Sequence, residues 1–112
     1  MVNRYALVVV PKQPFLDWLH SADPTSADLT LDEVSNDPSV YLIREGKTDK
    51  TAQEHIRKVF GTIFEEQLDG WYRDRDIWPA RRDFRTFNKW FECRFHSVVF
   101  DLSDGPLIRE EM

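Results

Sequence analysis

The sequence predicts an α+β fold: a mixed or antiparallel sheet of three or four strands, packed on one long amphipathic helix with shorter helices beside it. Three observations predict this fold. An almost unbroken apolar run lies near the start of the chain, a long apolar stripe with helical period lies in its middle, and a second strand-like run lies near its end. With 112 residues, 41% of them hydrophobic, the chain is expected to form a single globular domain over residues 1–112.

The first half of the chain predicts a strand, two short helices and a second strand. Residues 4–10 are nearly all apolar or β-branched, as in a strand that is covered on both faces. Pro14 suits a first helical turn, and the apolar residues after it share one helical face, which predicts a short helix to about Ser21. Thr30 has capping-box spacing with a following glutamate and predicts a one-turn helix, and residues 39–44 predict a strand.

The clearest predicted element is a long helix in the middle of the chain. Its apolar residues recur with the helical period and therefore share one face. Thr51 begins a capping-box pattern and marks one start, with Thr48 and Asp49 as alternatives, and Gly70 suits the end. The apolar stripe consists of Ala52, Ile56, Val59, Phe60, Ile63, Phe64, Leu68 and Trp71.

Beyond the long helix, the sequence predicts a further helix and one or two strands. Pro79 suits the opening turn of a helix with several phenylalanines on one side. Residues 95–102 predict a strand, and Leu107 with Ile108 predicts a short edge strand after the turn at 104–106. The phenylalanines of this helix are Phe84, Phe87 and Phe91, with Trp90 near them.

The composition is that of a mildly acidic soluble domain, with 15 Lys+Arg against 20 Asp+Glu and a net charge of -5. The longest apolar run, residues 5–10, is far shorter than the roughly 20 residues of a membrane-spanning helix, so no membrane association is expected. Cys93 is the single cysteine, which excludes an intrachain disulfide and favours a reducing, cytoplasmic setting. The glycines are scattered and form no phosphate-binding loop, and no cofactor is expected.

Four segments resemble a group of short uncharacterised bacterial proteins of unknown function. They are residues 23–30 (DPTSADLT), 70–72 (GWY), 77–79 (IWP) and 96–102 (HSVVFDL). The likeness covers most of the chain. It implies a bacterial intracellular setting and carries over no activity, cofactor or site residue.

Large aromatic side chains next to arginines form the first candidate site. Trp18 lies off the apolar face of its predicted helix, which suggests an exposed anchor; the alternative is a contact with the loop at residues 23–28. Tryptophan, tyrosine and arginine dominate the binding energy of protein interfaces. We therefore expect a protein partner, or a second copy of the chain, to bind a surface made of Trp18, Trp71, Tyr72, Arg73, Arg75 and Trp78.

Residues 73–94 are locally basic, with seven Lys or Arg against four Asp or Glu. Arginines interleaved with aromatic residues are typical of surfaces that stack nucleic-acid bases, so nucleic acid is the alternative partner. The negative net charge of the chain disfavours it, because phosphate binding depends on positive patches. In the plainer interpretation, the aromatic residues are core and the charges form a solvated, internally paired face. The alternative site consists of Arg81, Arg82, Arg85 and Lys89.

An acidic cluster, Glu65, Glu66 and Asp69, lies in the last turns of the long helix. The helix dipole disfavours negative charge at this end, and Glu65 with Asp69 is also a like-charged i,i+4 pair. Either an arginine from the following segment folds back to pair with the cluster, or the cluster binds a cation or a basic partner protein. The candidate arginines are Arg73, Arg75 and Arg81.

A third candidate site is metal-binding. Asp17, His20 and Asp23 follow one another at three-residue intervals, a spacing with which a metal ion can be ligated. The simpler interpretation is that His20 interacts with the end of its helix. A small metal-dependent enzyme is therefore the second alternative function.

The sequence contains no catalytic signature. Cys93 and His96 lie an odd number of residues apart, which on a strand places them on opposite faces. No glycine elbow or third residue supports nucleophilic catalysis. The sequence therefore favours a non-enzymatic protein-interaction module, and pairing of sheet edges across a two-fold axis makes a homodimer one form of that interaction.

Overall fold

A three-stranded antiparallel sheet and one long helix confirm the predicted α+β architecture. The computed structural model describes residues 4–44 and 52–108. In chain order the described elements are β1 (Arg4–Pro11), α1 (Gln13–Ala22), α2 (Leu31–Ser35), β2 (Ser39–Arg44), α3 (Ala52–Asp69), α4 (Phe84–Trp90) and β3 (Phe91–His96), with one-turn 3-10 helices at Pro24–Ser26 and Arg75–Ile77.

The apolar first strand is the centre of the sheet, as its composition predicts. The strand order is β2-β1-β3, and both neighbours run antiparallel to β1. Leu7, for example, lies opposite Tyr41 of β2 and opposite Phe95 of β3. The second strand spans the six residues that the sequence predicts.

The helices cover one face of the sheet. On that face, Leu7 and Val9 are fully buried in the same hydrophobic core as residues of α1, α3 and α4. On the opposite face, which we call the open face, Val40 is 60% exposed and Leu42 is 48% exposed. The expectation that β1 is covered on both faces is therefore wrong, because the described helices supply a single layer.

Among the residues that the structure describes, the long helix supplies four buried apolar residues to the core, as many as α1 supplies, and they lie on the predicted stripe. It ends at Asp69, one residue before Gly70, so Trp71 lies beyond the helix and is 44% exposed rather than part of the stripe. The predicted start at Thr51, with its alternatives, lies outside the described residues. The buried members of the stripe are Ile56, Ile63, Phe64 and Leu68.

The two short helices of the first half begin where their caps predict. Pro14 occupies the first turn of α1. At α2 the backbone N–H of Glu33 donates to Oγ1 of Thr30 at 3.2 Å, as expected for a capping box. None of the described helices is long and apolar enough to cross a membrane.

The last third of the chain departs from prediction. The fourth helix begins after Asp83, whose Oδ1 accepts from the N–H of Thr86 at 2.8 Å, and not at Pro79. The strand begins at Phe91 and ends at His96, so residues 97–102 are not strand, and neither are Leu107 and Ile108. A side-chain cap stops the helix from extending back to the proline, and β3 ends where its pairing with β1 ends.

Candidate functional site

A loop between α3 and α4, residues 70–78, projects from the end of the long helix; we call it the Trp71 loop. Its first residues close the helix, because Gly70 N–H donates to the Glu66 carbonyl at 3.0 Å. Trp71 and Tyr72 N–H both donate to the Leu68 carbonyl, at 3.1 and 2.9 Å. The chain therefore leaves the helix in a tight turn that sets the direction of the Trp71 side chain.

Three aromatic side chains fasten the Trp71 loop to the core. Trp18 Nε1 donates to the Ile77 carbonyl at 2.8 Å, and Trp78 Nε1 donates to the Tyr72 carbonyl at 2.7 Å. The Tyr72 hydroxyl donates to Asp23 Oδ2 at 2.9 Å. Both indole rings are buried and the three hydrogen bonds are partly buried, so together they hold both ends of the loop against the core.

The structure divides the predicted partner-binding residues into two groups. Trp18 and Trp78 expose only 8% and 7% of their surface, so the expectation that they are exposed anchors is wrong. Trp18 contacts the rings of Phe15, Tyr72 and Trp90. Tyr72 is half-buried, whereas Trp71, Arg73 and Arg75 are exposed. The surface available to a partner is therefore the outer side of the Trp71 loop.

Ile77 belongs to this surface although no sequence signal singled it out. Its side chain is 37% exposed while its carbonyl holds the Trp18 indole. A lone isoleucine in a polar segment carries no periodic pattern, so its exposure becomes visible only in the folded loop. Trp71 and Ile77 therefore give the loop two large apolar side chains that are exposed to solvent.

A shallow cleft of about 220 Å³ lies between the Trp71 loop and the acidic cluster. Arg75 Nη2 lies 3.5 Å from Glu65 Oε2, which realises the predicted pairing of the cluster with a following arginine. The same guanidinium lies 5.0 Å from the Trp78 ring centroid. Because both ion-pair side chains are well exposed, the pair contributes little stability and leaves the cleft acidic. The cleft is lined by Thr62, Glu65, Glu66, Asp69, Arg75 and Trp78.

The basic residues of the nucleic-acid alternative do not form one free surface. Arg81 lies 3.6 Å from Asp83, and Arg82 donates to the Pro79 carbonyl at 2.8 Å with its guanidinium 5.7 Å from the Trp78 ring. Arg85 and Lys89 are exposed on α4. The interleaved aromatic residues belong to the core or pack against it, which leaves no stacking platform among them: Trp78, Phe84, Phe87, Trp90 and Phe91.

The predicted metal-binding residues do not form a site. Asp17 accepts from Gln13 at 2.8 Å, and His20 Nε2 bonds the Leu29 carbonyl at 2.9 Å. The Asp23 carboxylate already accepts hydrogen bonds from Thr25 and from Tyr72. Across residues 4–44 and 52–108, no group of three or more His, Cys, Asp or Glu side chains is arranged to hold a metal ion. The three-residue spacing fails because Asp23 lies past the helix end, in extended backbone.

Asp23 carries the clearest electrostatic signature at this site. Its carboxylate accepts from the hydroxyl and the N–H of Thr25, at 2.7 and 2.9 Å, and from the Tyr72 hydroxyl. These bonds, with those of Thr25 the stronger, hold the pKa of Asp23 below its ordinary value. Asp23 is therefore an anion that fixes Tyr72, and through it the start of the Trp71 loop.

Comparison with known proteins yields no relative: no protein-family model, no curated protein and no solved structure matches the chain.

Proposed function

We propose that this protein is a non-enzymatic protein-interaction module that binds its partner through the Trp71 loop. One observation carries the proposal: Trp71 is exposed on a loop whose backbone is held by hydrogen bonds from two buried tryptophans, Trp18 and Trp78. An exposed tryptophan followed in the same loop by two exposed arginines, Arg73 and Arg75, has the composition of an interface hot spot. Because the loop is already ordered, binding does not have to order it, and the association loses less conformational entropy.

The charge of the site indicates a basic partner. Residues 65–78 carry five Asp or Glu against two Arg, and the whole chain has a net charge of -5. Of the acidic cluster, Glu66 and Asp69 line the cleft beside the Glu65–Arg75 pair. A basic surface with an apolar pocket for Trp71 complements both features, and opposite charge accelerates encounter.

We place this interaction in a bacterial cytoplasm. The resemblance to short bacterial proteins supports the bacterial setting, and the single cysteine supports a reducing compartment. Nucleic acid is the less supported partner, since the aromatic residues among these arginines belong to the core or pack against it, and the chain has a net charge of -5.

Site-specific photocrosslinking in the source cells tests the proposal. A photoreactive amino acid at position 71 is expected to capture one protein in defined stoichiometry. The same amino acid at position 40, an exposed site on the open face, is the control and is expected to capture none of it. The captured protein is then purified and titrated with the wild-type chain and two variants. Trp71→Ala is expected to raise the dissociation constant about tenfold or more, and Trp71→Phe to raise it less.

Three results would contradict the proposal. Equal capture at positions 71 and 40 would show that the Trp71 loop is not the binding surface. An unchanged affinity of Trp71→Ala would show that Trp71 is not an anchor. A nuclease-sensitive adduct whose affinity falls steeply with salt and with Arg85→Ala would identify nucleic acid as the ligand.

A further inference from the structure

Among the strands that the structure describes, the third strand, β3, has a neighbour on one side only. It pairs on its inner side with β1, from Ala6 opposite His96 to Pro11 opposite Phe91, and it lies at the edge of the described sheet. Alternate residues of a strand direct their backbone N–H and C=O groups outward, so this edge offers a row of donors and acceptors to another strand. Glu92, Arg94 and His96 are exposed along it.

The sequence of β3 is complementary to itself about Cys93. Glu92 and Arg94, of opposite charge, lie one position to either side, and Phe91 and Phe95 lie two positions to either side. When two identical strands pair antiparallel about a two-fold axis, one residue faces its own counterpart. With Cys93 in that position, Glu92 of each copy lies opposite Arg94 of the other, and Phe91 lies opposite Phe95.

The charges also fix the centre of such a pairing. A centre at Glu92 would place two carboxylates opposite each other, and a centre at Arg94 would place two guanidiniums opposite each other. Like charges directly opposite destabilise a sheet, whereas opposite charges and aromatic pairs stabilise it. Only the centre at Cys93, of these three, places opposite charges in register, and this charge match carries the argument because Phe91 is already buried in its own core.

We propose that β3 pairs antiparallel with β3 of a second copy, centred on Cys93, so that two three-stranded sheets become one continuous sheet. This interface goes beyond the proposed function because it does not involve the Trp71 loop. Arg94 Nη2 already lies 3.0 Å from Glu92 Oε2 within one chain, and both side chains are more than half exposed. They can therefore pair across the interface without burying an unpaired charge.

The segment after β3 provides a second contact for the same dimer. In the antiparallel arrangement it begins beside the end of α4 of the second copy, because His96 of one copy lies opposite Trp90 of the other. It carries Asp101 and Asp104, and α4 exposes Arg85 and Lys89, so the two surfaces have opposite charge. Large apolar side chains are also exposed along this segment: Val98, Phe100, Leu102, Leu107 and Ile108.

Sedimentation velocity of the full chain over a concentration series tests the pairing. We expect the wild-type chain to dimerise. Glu92→Lys and Arg94→Glu each place like charges opposite one another at two symmetric positions, and each is expected to raise the dimer dissociation constant about tenfold. The variant with both substitutions exchanges the two charges and is expected to recover the wild-type constant.

Two control variants separate this interface from other surfaces. Val40→Glu changes the opposite edge strand, on the same face as Arg94, and Trp71→Ala changes the Trp71 loop. Neither is expected to alter dimerisation. The proposed dimer and the proposed binding role of the Trp71 loop can therefore be disproved independently of each other. A chain that is monomeric at every concentration, single reversals without effect, or a double variant that stays dissociated would each overturn the pairing.

Discussion

The indole nitrogen of Trp78 donates a 2.7 Å hydrogen bond to the carbonyl oxygen of Tyr72, which closes the Trp71 loop on itself. The Trp78 ring is 7% exposed, and the guanidinium of Arg75 lies 5.0 Å from its centroid on the solvent side of the cleft. One buried side chain therefore connects the core, the loop backbone and the acidic cleft. The rigidity of the loop depends on this connection.

Replacing Trp78 is expected to destabilise the protein more than replacing Trp71. Trp78→Phe removes the donor to the Tyr72 carbonyl and is expected to lower the free energy of unfolding by about 1–3 kcal/mol. Trp71→Phe, at an exposed position, is the control and is expected to change it by less than about 0.5 kcal/mol. Urea denaturation of both variants measures the difference. Equal effects would mean that Trp78 does not fasten the loop.

Local sequence pattern predicted the elements whose stabilising contacts lie within a few residues or on one repeated face. The run at residues 4–10 is the central strand, paired with β2 on one edge and with β3 on the other, although the described helices cover only one of its faces. Thr30 capped its helix through a bond three residues away. The stripe of α3 is buried along one face, as its period requires.

Contacts between distant segments were not predictable in the same way. Trp18 lies off its helix's apolar face, yet it is buried because Tyr72 and Trp90, distant in the sequence, pack against its ring. Its indole also donates to the Ile77 carbonyl, 59 residues later. The hydrogen bond from the Tyr72 hydroxyl to the Asp23 carboxylate joins residues 49 positions apart, and no local sequence pattern predicts it. Residues 97–102 have a strand-like pattern, but the pattern does not reveal that no described strand lies beside them. The sequence therefore predicts which residues make up the candidate site, but it does not predict that two of them, Trp18 and Trp78, are buried.

Asp23 is expected to make stability depend on acid pH. Hydrogen bonds, first those from Thr25 and then that from Tyr72, hold its pKa below the ordinary value of 3.8. A carboxyl with a lowered pKa in the folded state stabilises the fold above the unfolded pKa, and that contribution is lost as pH falls through the folded pKa. Asp23→Asn is therefore expected to be less stable than wild type at pH 7, with the difference shrinking below pH 4.

Thermal unfolding of wild type and Asp23→Asn at pH 7 and pH 3 measures this effect. Asp37→Asn, at an exposed position in the turn before β2, is the matched control and is expected to follow wild type at both pH values. A difference between wild type and Asp23→Asn that persists unchanged at pH 3 would show that the carboxylate is not its source.

The capping box at Thr30 is expected to contribute measurably to stability. Its Oγ1 accepts from the Glu33 N–H and donates to Glu33 Oε1 at 3.0 Å. Thr30→Ala is expected to lower the free energy of unfolding by about 0.5–2 kcal/mol. Thr62→Ala, at an exposed position inside α3, is the control and is expected to cause no loss, because alanine favours the helix. A comparable loss of unfolding free energy in both variants would contradict a stabilising role for the Thr30 cap.

The Cys93 thiol is expected to react slowly in the folded protein. Burial, the largest influence, raises its pKa to about 11 from an ordinary value of 9.0. Because the thiolate is the reacting species, a rise of this size lowers its concentration at pH 8 about a hundredfold. Alkylation by iodoacetamide at pH 8 is therefore expected to be slow in buffer and fast in urea, where the thiol is solvated. Mass spectrometry over a time course measures both rates, and similar rates in the two solvents would show that Cys93 is not shielded in the sheet.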